Sequence, residues 1–369
     1  MNNNTQGINL NQLMTLIMLF LIGGALGANP GRYAGQNVWI AYLIGALLGT
    51  LLFTMYYRIS KIHDHQSLLQ IFKSCFGKYI GMFLLLVYAI FFLLRTISIG
   101  NFISEMAQQT LMIGANQRLT IALLIIPLVV GSLYGLKSIG RSSEILFVIT
   151  IICLIPFITT VFFTHTFKVE KLLPILAEGL FSIRNDIVRV AFIPHGSLFM
   201  FLTLFPYVAK EQNKGILKRS YIAIGVSVLI MITIEIITVG VLGATLTANS
   251  SYTFYSAVRA ASMNGLFARF DPLAIIITIN SLYFELLLFF FASVLIIQSL
   301  HKKFNFKFVV VIVSILIFIV APFIKIQSVS FVLNTLPFKI LPIFELGIPL
   351  LIFIISEIKH RKKKNLRTS

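Results

Sequence analysis

Three ionisable side chains stand inside long apolar runs of this sequence: Arg95, Glu235 and Glu285. Charged groups at membrane depth are costly and are functional candidates by default. One cation and two carboxylates do not balance. Either one carboxyl is protonated through desolvation or one faces water. The count motivates a pairing of Arg95 with Glu285 or Glu235, the other acid titrating. It fits equally a buried pair that only holds helices together. His195, in "AFIPHGSLF", is placed to touch a ligand, to sense pH, or to hydrogen-bond backbone. The six histidines are dispersed, and no HExxH, GxSxG or His/Asp cluster occurs. Cys75 and Cys153 lie apart, with no CxxC or Cys/His neighbour. No disulfide framework, metal site, cofactor or catalytic set is therefore expected, and the chain does not read as an enzyme.

Two further stretches place backbone-breaking residues inside apolar runs. "LIGGALGANPGR", Leu21 to Arg32, carries Gly23, Gly24, Gly27 and Pro30 where a helix begun near Leu13 should be finishing. "VAFIPHGSLFMFLTLFPYV" carries Pro194, His195, Gly196 and Ser197. Pro194 removes a backbone donor, and Gly196 tolerates positive φ. Irregular backbone at membrane depth is tolerated where it lines a cavity. A half-helix starting at Gly23, Gly24, Ala25, Leu26 and Gly27 would offer amides and a positive dipole end to a carboxylate. Carbonyls freed around Pro194–Ser197 would accept from an ammonium group. The two together suit a small zwitterion such as an amino acid. Gly45 and Gly49 form a small-xxx-small pair that reads as close helix packing.

The elements that position these residues follow from composition. The chain has 369 residues, 58% hydrophobic and 11% charged, too apolar for a soluble fold. Ten spans of membrane-crossing length are expected at about 10–31, 37–57, 80–110, 119–135, 143–164, 187–209, 217–247, 271–299, 307–325 and 338–358. Asp271–Pro272 is a preferred helix start for the eighth. "DHQSLLQIFKSCFGKY" reads as an amphipathic helix on the inner surface. The opening "MNNNTQGINLNQ" lacks the marks of a cleaved signal. With the N-terminus inside, 19 of the 30 basic residues fall in the loops after even-numbered spans and in the tail, so the positive-inside rule places both termini in the cytoplasm. The basic tail 359–369 suits anionic lipid, and no nucleic-acid partner is expected. One transmembrane domain over 1–369 is expected, with repeats at about 10–164 and 187–358. Five is odd, so a second group of five repeating the first must be inverted, with a site where the first helix of each repeat is interrupted. The expected fold is all-α: ten transmembrane helices in a five-plus-five inverted repeat with broken helices 1 and 6.

Several stretches carry a likeness to a known family: "PGRYAGQNVWIAYLIGALLG" at 30–49, "SLLQIFKSCFGKYIGMFLLLVYAIFFL" at 67–93, "GLKSIGRSSEILF" at 135–147, "FARFDPLAIIITINSLYFE" at 267–285 and "LPIFELGIPLLIFIISEIK" at 341–359. In their order and spacing they resemble the B subunits of spore nutrient germinant receptors, in the amino acid-polyamine-organocation superfamily. The resemblance implies a germinant bound between broken helices 1 and 6, and residence in the spore inner membrane. It also implies an A-type subunit and a C-type lipoprotein as partners. Fold analogy adds Tyr283 and Glu285 to the cavity. Two departures stand out: Asn37 replaces an expected acid before Trp39, and residues 143–164 lack the basic residue of some proton-coupled relatives. The expected function is a membrane subunit that binds a small nutrient, an amino acid by preference, and triggers germination. The alternative is an amino-acid permease working by alternating access.

Overall fold

The computed structural model describes residues 7–262, 271–301, 304–324 and 329–368. Lys302 and Lys303, counted above toward the inner face, lie outside them. Among the described residues, ten helical segments are long and apolar enough to cross a membrane: Leu10–Ala28, Arg32–Ile62, Lys78–Thr110, Gln117–Tyr134, Leu136–Val161, Leu180–Thr203, Lys210–Leu242, Pro272–Leu300, Phe306–Phe323 and Val332–Lys362. We call them spans 1 to 10. Among the described residues there is no strand, only an isolated bridge between Ile8 and Val208. All ten expected spans are present. Span 5 begins well before 143, because "LKSIGRSSE" is helical from Leu136. The helix of span 8 begins at Asp271, and the basic tail continues span 10 as helix to Thr368.

Local chemistry explains the helix starts. Asn9 caps span 1 in a capping box with Gln12, each side chain taking the other's backbone amide. Asn116 accepts the amide of Arg118 to open span 4, and Asn305 accepts that of Lys307 to open span 9. The amphipathic segment between spans 2 and 3 is helical over Leu68–Phe76, with a Ser67–Gln70 capping box. It buries Leu68, Ile71 and Phe72 and turns Gln70 and Ser74 outward.

Spans 1, 6 and 8 are the most enclosed, and spans 4, 5 and 10 present most of their surface outward. An aromatic ladder ties the centre together. Phe20 of span 1 meets Phe201 of span 6 edge-on at 5.5 Å and Phe289 of span 8 at 5.3 Å. Tyr88 of span 3 meets Phe199 at 4.9 Å. Such pairs add to area burial and fix the spans that carry the polar centre.

Span 6 breaks where expected. Its α-helix ends at Val190, passes through a π-helical turn at Ala191–His195, and tightens to 3-10 over Gly196–Thr203. Span 1 corrects the expectation. Leu10–Ala28 is continuous α-helix through Gly23–Gly27, so those amides stay bonded within the helix. Irregular backbone begins at Asn29, left-handed at φ 41°, and runs through a 3-10 segment, Arg32–Asn37, with Gly35 at φ 57°. The glycines serve close approach instead. A Cβ on Gly23 would stand 2.5 Å from the Ser281 carbonyl oxygen, and one on Gly27 would stand 2.7 Å from Leu282. Gly196 is corrected likewise: its φ is −60°, and what it provides is space. Gly45 and Gly49 do pack closely, against Val190 and His195 respectively.

Candidate functional site

Span 3 and span 8 are the third helices of the two groups of five, and a buried ion pair joins them. Arg95 donates through Nη2 to Glu285 Oε1 at 3.1 Å. Its guanidinium also lies 5.3 Å from the centre of the Phe289 ring, a favourable cation–π placement. Arg95 Nε is buried with no hydrogen-bond partner. The Glu285 carboxyl in turn packs against Gly24 of span 1.

A cavity opens at this pair, about 490 Å³ of empty space with its mouth included. Gly24, Gly27 and Ala28 of span 1 line it, with Arg95, Ser98 and Phe102 of span 3, Ile193 of span 6, Leu282 and Glu285 of span 8 and Val332 of span 10. The wall is apolar except for the ion pair and one hydroxyl. That is the composition of a small-molecule pocket, in which a few polar groups orient a ligand.

The expected site residues divide. Gly24, Gly27, Arg95 and Glu285 meet in the cavity. Pro194 packs beside Gly24, its Cα lying 3.5 Å from where a Gly24 Cβ would sit, and does not line the cavity. Gly23, Ala25 and Leu26 are buried in helix contacts and do not line it. The His195 ring turns away, Nδ1 donating to the Val190 carbonyl at 3.0 Å while the side chain packs on Gly49. Ser197 donates to Glu345 Oε1 at 2.7 Å. Tyr283 points to span 4, donating to the Pro127 carbonyl at 3.0 Å.

Glu235 has a different neighbourhood from the one expected. It faces Arg32 and Asn29, and Arg32 also donates to the Ser250 carbonyl at 2.8 Å. The count of one cation and two acids is therefore incomplete. Arg32, Asp186, Arg189 and Glu345 are also buried. Arg189 of span 6 pairs with Asp186 at 3.0 Å and donates to Leu333 O and Asn334 Oδ1 at 2.9 and 3.0 Å, joining the heads of spans 6 and 10. The signal for Glu345 was the one used for the other acids, a lone carboxyl in an apolar run. Arg32 and Arg189 were hidden because they sit near span ends, where charge is ordinary.

Comparison with known proteins gives the family and the fold. A family model described as "Spore germination protein" matches residues 7–329. Spore germination protein KB of Bacillus subtilis (strain 168) is 24% identical over 365 residues, covering 97% of this chain and 96% of that protein. Spore germination protein YndE of the same organism is 22% identical, covering 98% and 99%. Among solved structures, Mhp1, a nucleobase-cation-symport-1 family transporter in a closed conformation with bromovinylhydantoin bound, superposes with a TM-score of 0.63 at 13% identity. That match covers 91% of this chain and 78% of that one. The likeness establishes the fold as the inverted repeat of that transporter class. By the family match, which spans most of its length, this multi-pass chain belongs to the spore germination protein family.

Proposed function

We propose that this protein is the membrane subunit of a spore nutrient receptor, and that it binds a small zwitterionic nutrient, an amino acid by preference, at the Arg95–Glu285 pair. The observation that carries the reading is the opening of a mostly apolar cavity onto one cation and one carboxylate. An α-carboxylate is suited to Arg95 and an α-ammonium to Glu285, so an entering amino acid exchanges one internal ion pair for two complementary ones. The apolar wall then discriminates among side chains by size and shape. Binding triggers germination only if one conformation of the receptor holds the nutrient more tightly than the other. On this reading the protein sits in the spore inner membrane with both termini on the core side, assembled with an A-type subunit and a C-type lipoprotein.

The transporter fold favours a second reading, an amino-acid permease working by alternating access. One experiment separates them. The gene is deleted in its source, spores are prepared, and the fall in optical density is followed with a panel of amino acids, sugars and nucleosides. Selective loss of response to one nutrient is the expected result. An unchanged response, together with reduced uptake in growing cells, would replace the receptor with the permease.

A further inference from the structure

Another buried acid, Glu345, lies outside the cavity and has no cation of its own. It sits in the π-helical break Pro342–Gly347 of span 10 and is 1% exposed. Its Oε1 accepts from Ser197 Oγ at 2.7 Å, while Oε2 is buried with no hydrogen-bond partner. The carboxyl occupies the space that a side chain at residue 196 would take: a Cβ there would stand 2.3 Å from Oε2. The breaks of spans 6 and 10 therefore meet directly, with the acid between them.

Hydroxyls from two other spans converge on this junction and are all used by backbone. Tyr56 of span 2 donates to the Gly196 carbonyl at 3.1 Å and approaches the Glu345 carbonyl closely. Tyr88 of span 3 donates to the Phe344 carbonyl at 2.6 Å. Neither serves the carboxyl. The charged groups facing it are Arg95 of span 3 and Glu285 of span 8, and they are engaged with each other. On span 6, His195 turns to Val190, and on span 10 itself Lys339 is exposed. Among the described residues no cation bonds Glu345.

A carboxylate taken out of water against a single neutral donor is far costlier than a carboxylic acid in the same place. Isolated acids at membrane depth are the groups from which proton relays are built. From the lone donor on Oε1, the orphaned Oε2 and the glycine that admits it, we infer that Glu345 is a proton-binding site at the junction of spans 6 and 10. Oε2 takes a proton from water as the two breaks dock and returns it to water as they part. Docking of these two spans is thereby tied to proton uptake.

Infrared spectroscopy of the full-length protein in detergent tests this directly. At pH 7.5 the wild-type minus Glu345→Gln difference spectrum should show a carboxylic-acid C=O band. A difference composed of carboxylate stretches would overturn the proposal. So would an acid band that disappears when sodium replaces choline at constant pH, since that would make the site an alkali-cation site. Ser197→Ala covers the case of a misfolded glutamine variant. Loss of the donor on Oε1 should move the same band to higher frequency, and an unmoved band would count against the assignment.

Discussion

Gly24 holds its backbone against the carboxyl of Glu285: a methyl group built on it would stand 3.4 Å from Oε1, 3.5 Å from Oε2 and 3.5 Å from the Cα of Pro194. Spans 1, 6 and 8 meet at this point, on the cavity wall. Gly23, one residue earlier, faces the Ser281 carbonyl at 2.5 Å by the same construction. The two adjacent glycines therefore answer to different constraints, one to the site and one to helix packing.

Their substitutions should separate accordingly. Gly24→Ala adds a methyl at ordinary contact distance and should keep membrane level and nutrient response. Gly24→Val crowds the pocket and should lower nutrient sensitivity at least tenfold with the protein still present. Gly23→Ala forces spans 1 and 8 apart, an overpacking cost of about 1–3 kcal/mol, and should lower the membrane level itself. Quantitative blotting of spore membranes beside germination curves reads both effects. Normal nutrient sensitivity in Gly24→Val would remove Gly24 from the site.

The Arg95–Glu285 pair predicts non-additive stability. Arg95→Leu strands a buried carboxylate, which costs about 3–5 kcal/mol, and should lower the thermal midpoint of the purified protein sharply. Arg95→Leu combined with Glu285→Leu removes both charges, and most of the lost stability should return. Nutrient response should be absent in both. A double variant as unstable as the single one would show that the partner of Arg95 lies elsewhere, and a responsive double variant would end the zwitterion reading.

Much of this was legible in the sequence, because hydropathy and the odd count of five act at the scale of whole spans. Ten spans, the inversion and the break at Pro194 all follow from patterns longer than one helical turn. The site was only partly legible. Arg95 and Glu285 stood out because charge inside an apolar run is rare whatever the helix rotation. Tyr283 was misplaced because rotation about the helix axis decides which face looks inward, and of the three readings left open for His195 the hydrogen bond to backbone is the one that forms. Span 1 shows the same ambiguity in its backbone. Its glycines suit an unwound turn or a tight crossing equally well, and only the approach of Ser281 and Leu282 decides for the crossing.

The heads of spans 6 and 10 are held by Arg189, whose guanidinium reaches Asp186, Leu333 and Asn334 and lies 4.9 Å from the centre of the Tyr33 ring. Val332, which lines the cavity, is next to this contact in sequence. Arg189→Lys keeps the charge but loses the planar fork, and should let the head of span 10 move. In a Cys75→Ser, Cys153→Ser background carrying Val332→Cys, thiol labelling should be several-fold faster with Arg189→Lys than without it. Equal labelling rates would mean that Arg189 does not hold the head of span 10 in place.

The junction of span 2, the surface helix and span 10 should loosen in acid. His63 Nε2 lies 2.8 Å from Ser356 Oγ, and Lys359 reaches the Ser74 carbonyl of the surface helix. Burial first, and then the Lys359 cation, hold the His63 imidazole below its ordinary titration range, with Asp64 opposing. His65 is shifted the same way, by burial and Lys61. For a base depressed in the folded state, the stabilisation is present above the ordinary imidazole range and is lost as pH falls toward the folded-state value, because the undocked chain binds the proton first. Hydrogen-exchange protection of the Leu68–Phe76 amides, corrected for intrinsic rates, should therefore fall between pH 7.5 and 5.5. His63→Gln cannot titrate and should flatten most of that dependence, leaving the share due to His65. Protection that does not change with pH in the wild type, or that changes equally in His63→Gln, would assign the junction's stability to its apolar face alone, to Leu68, Ile71 and Phe72.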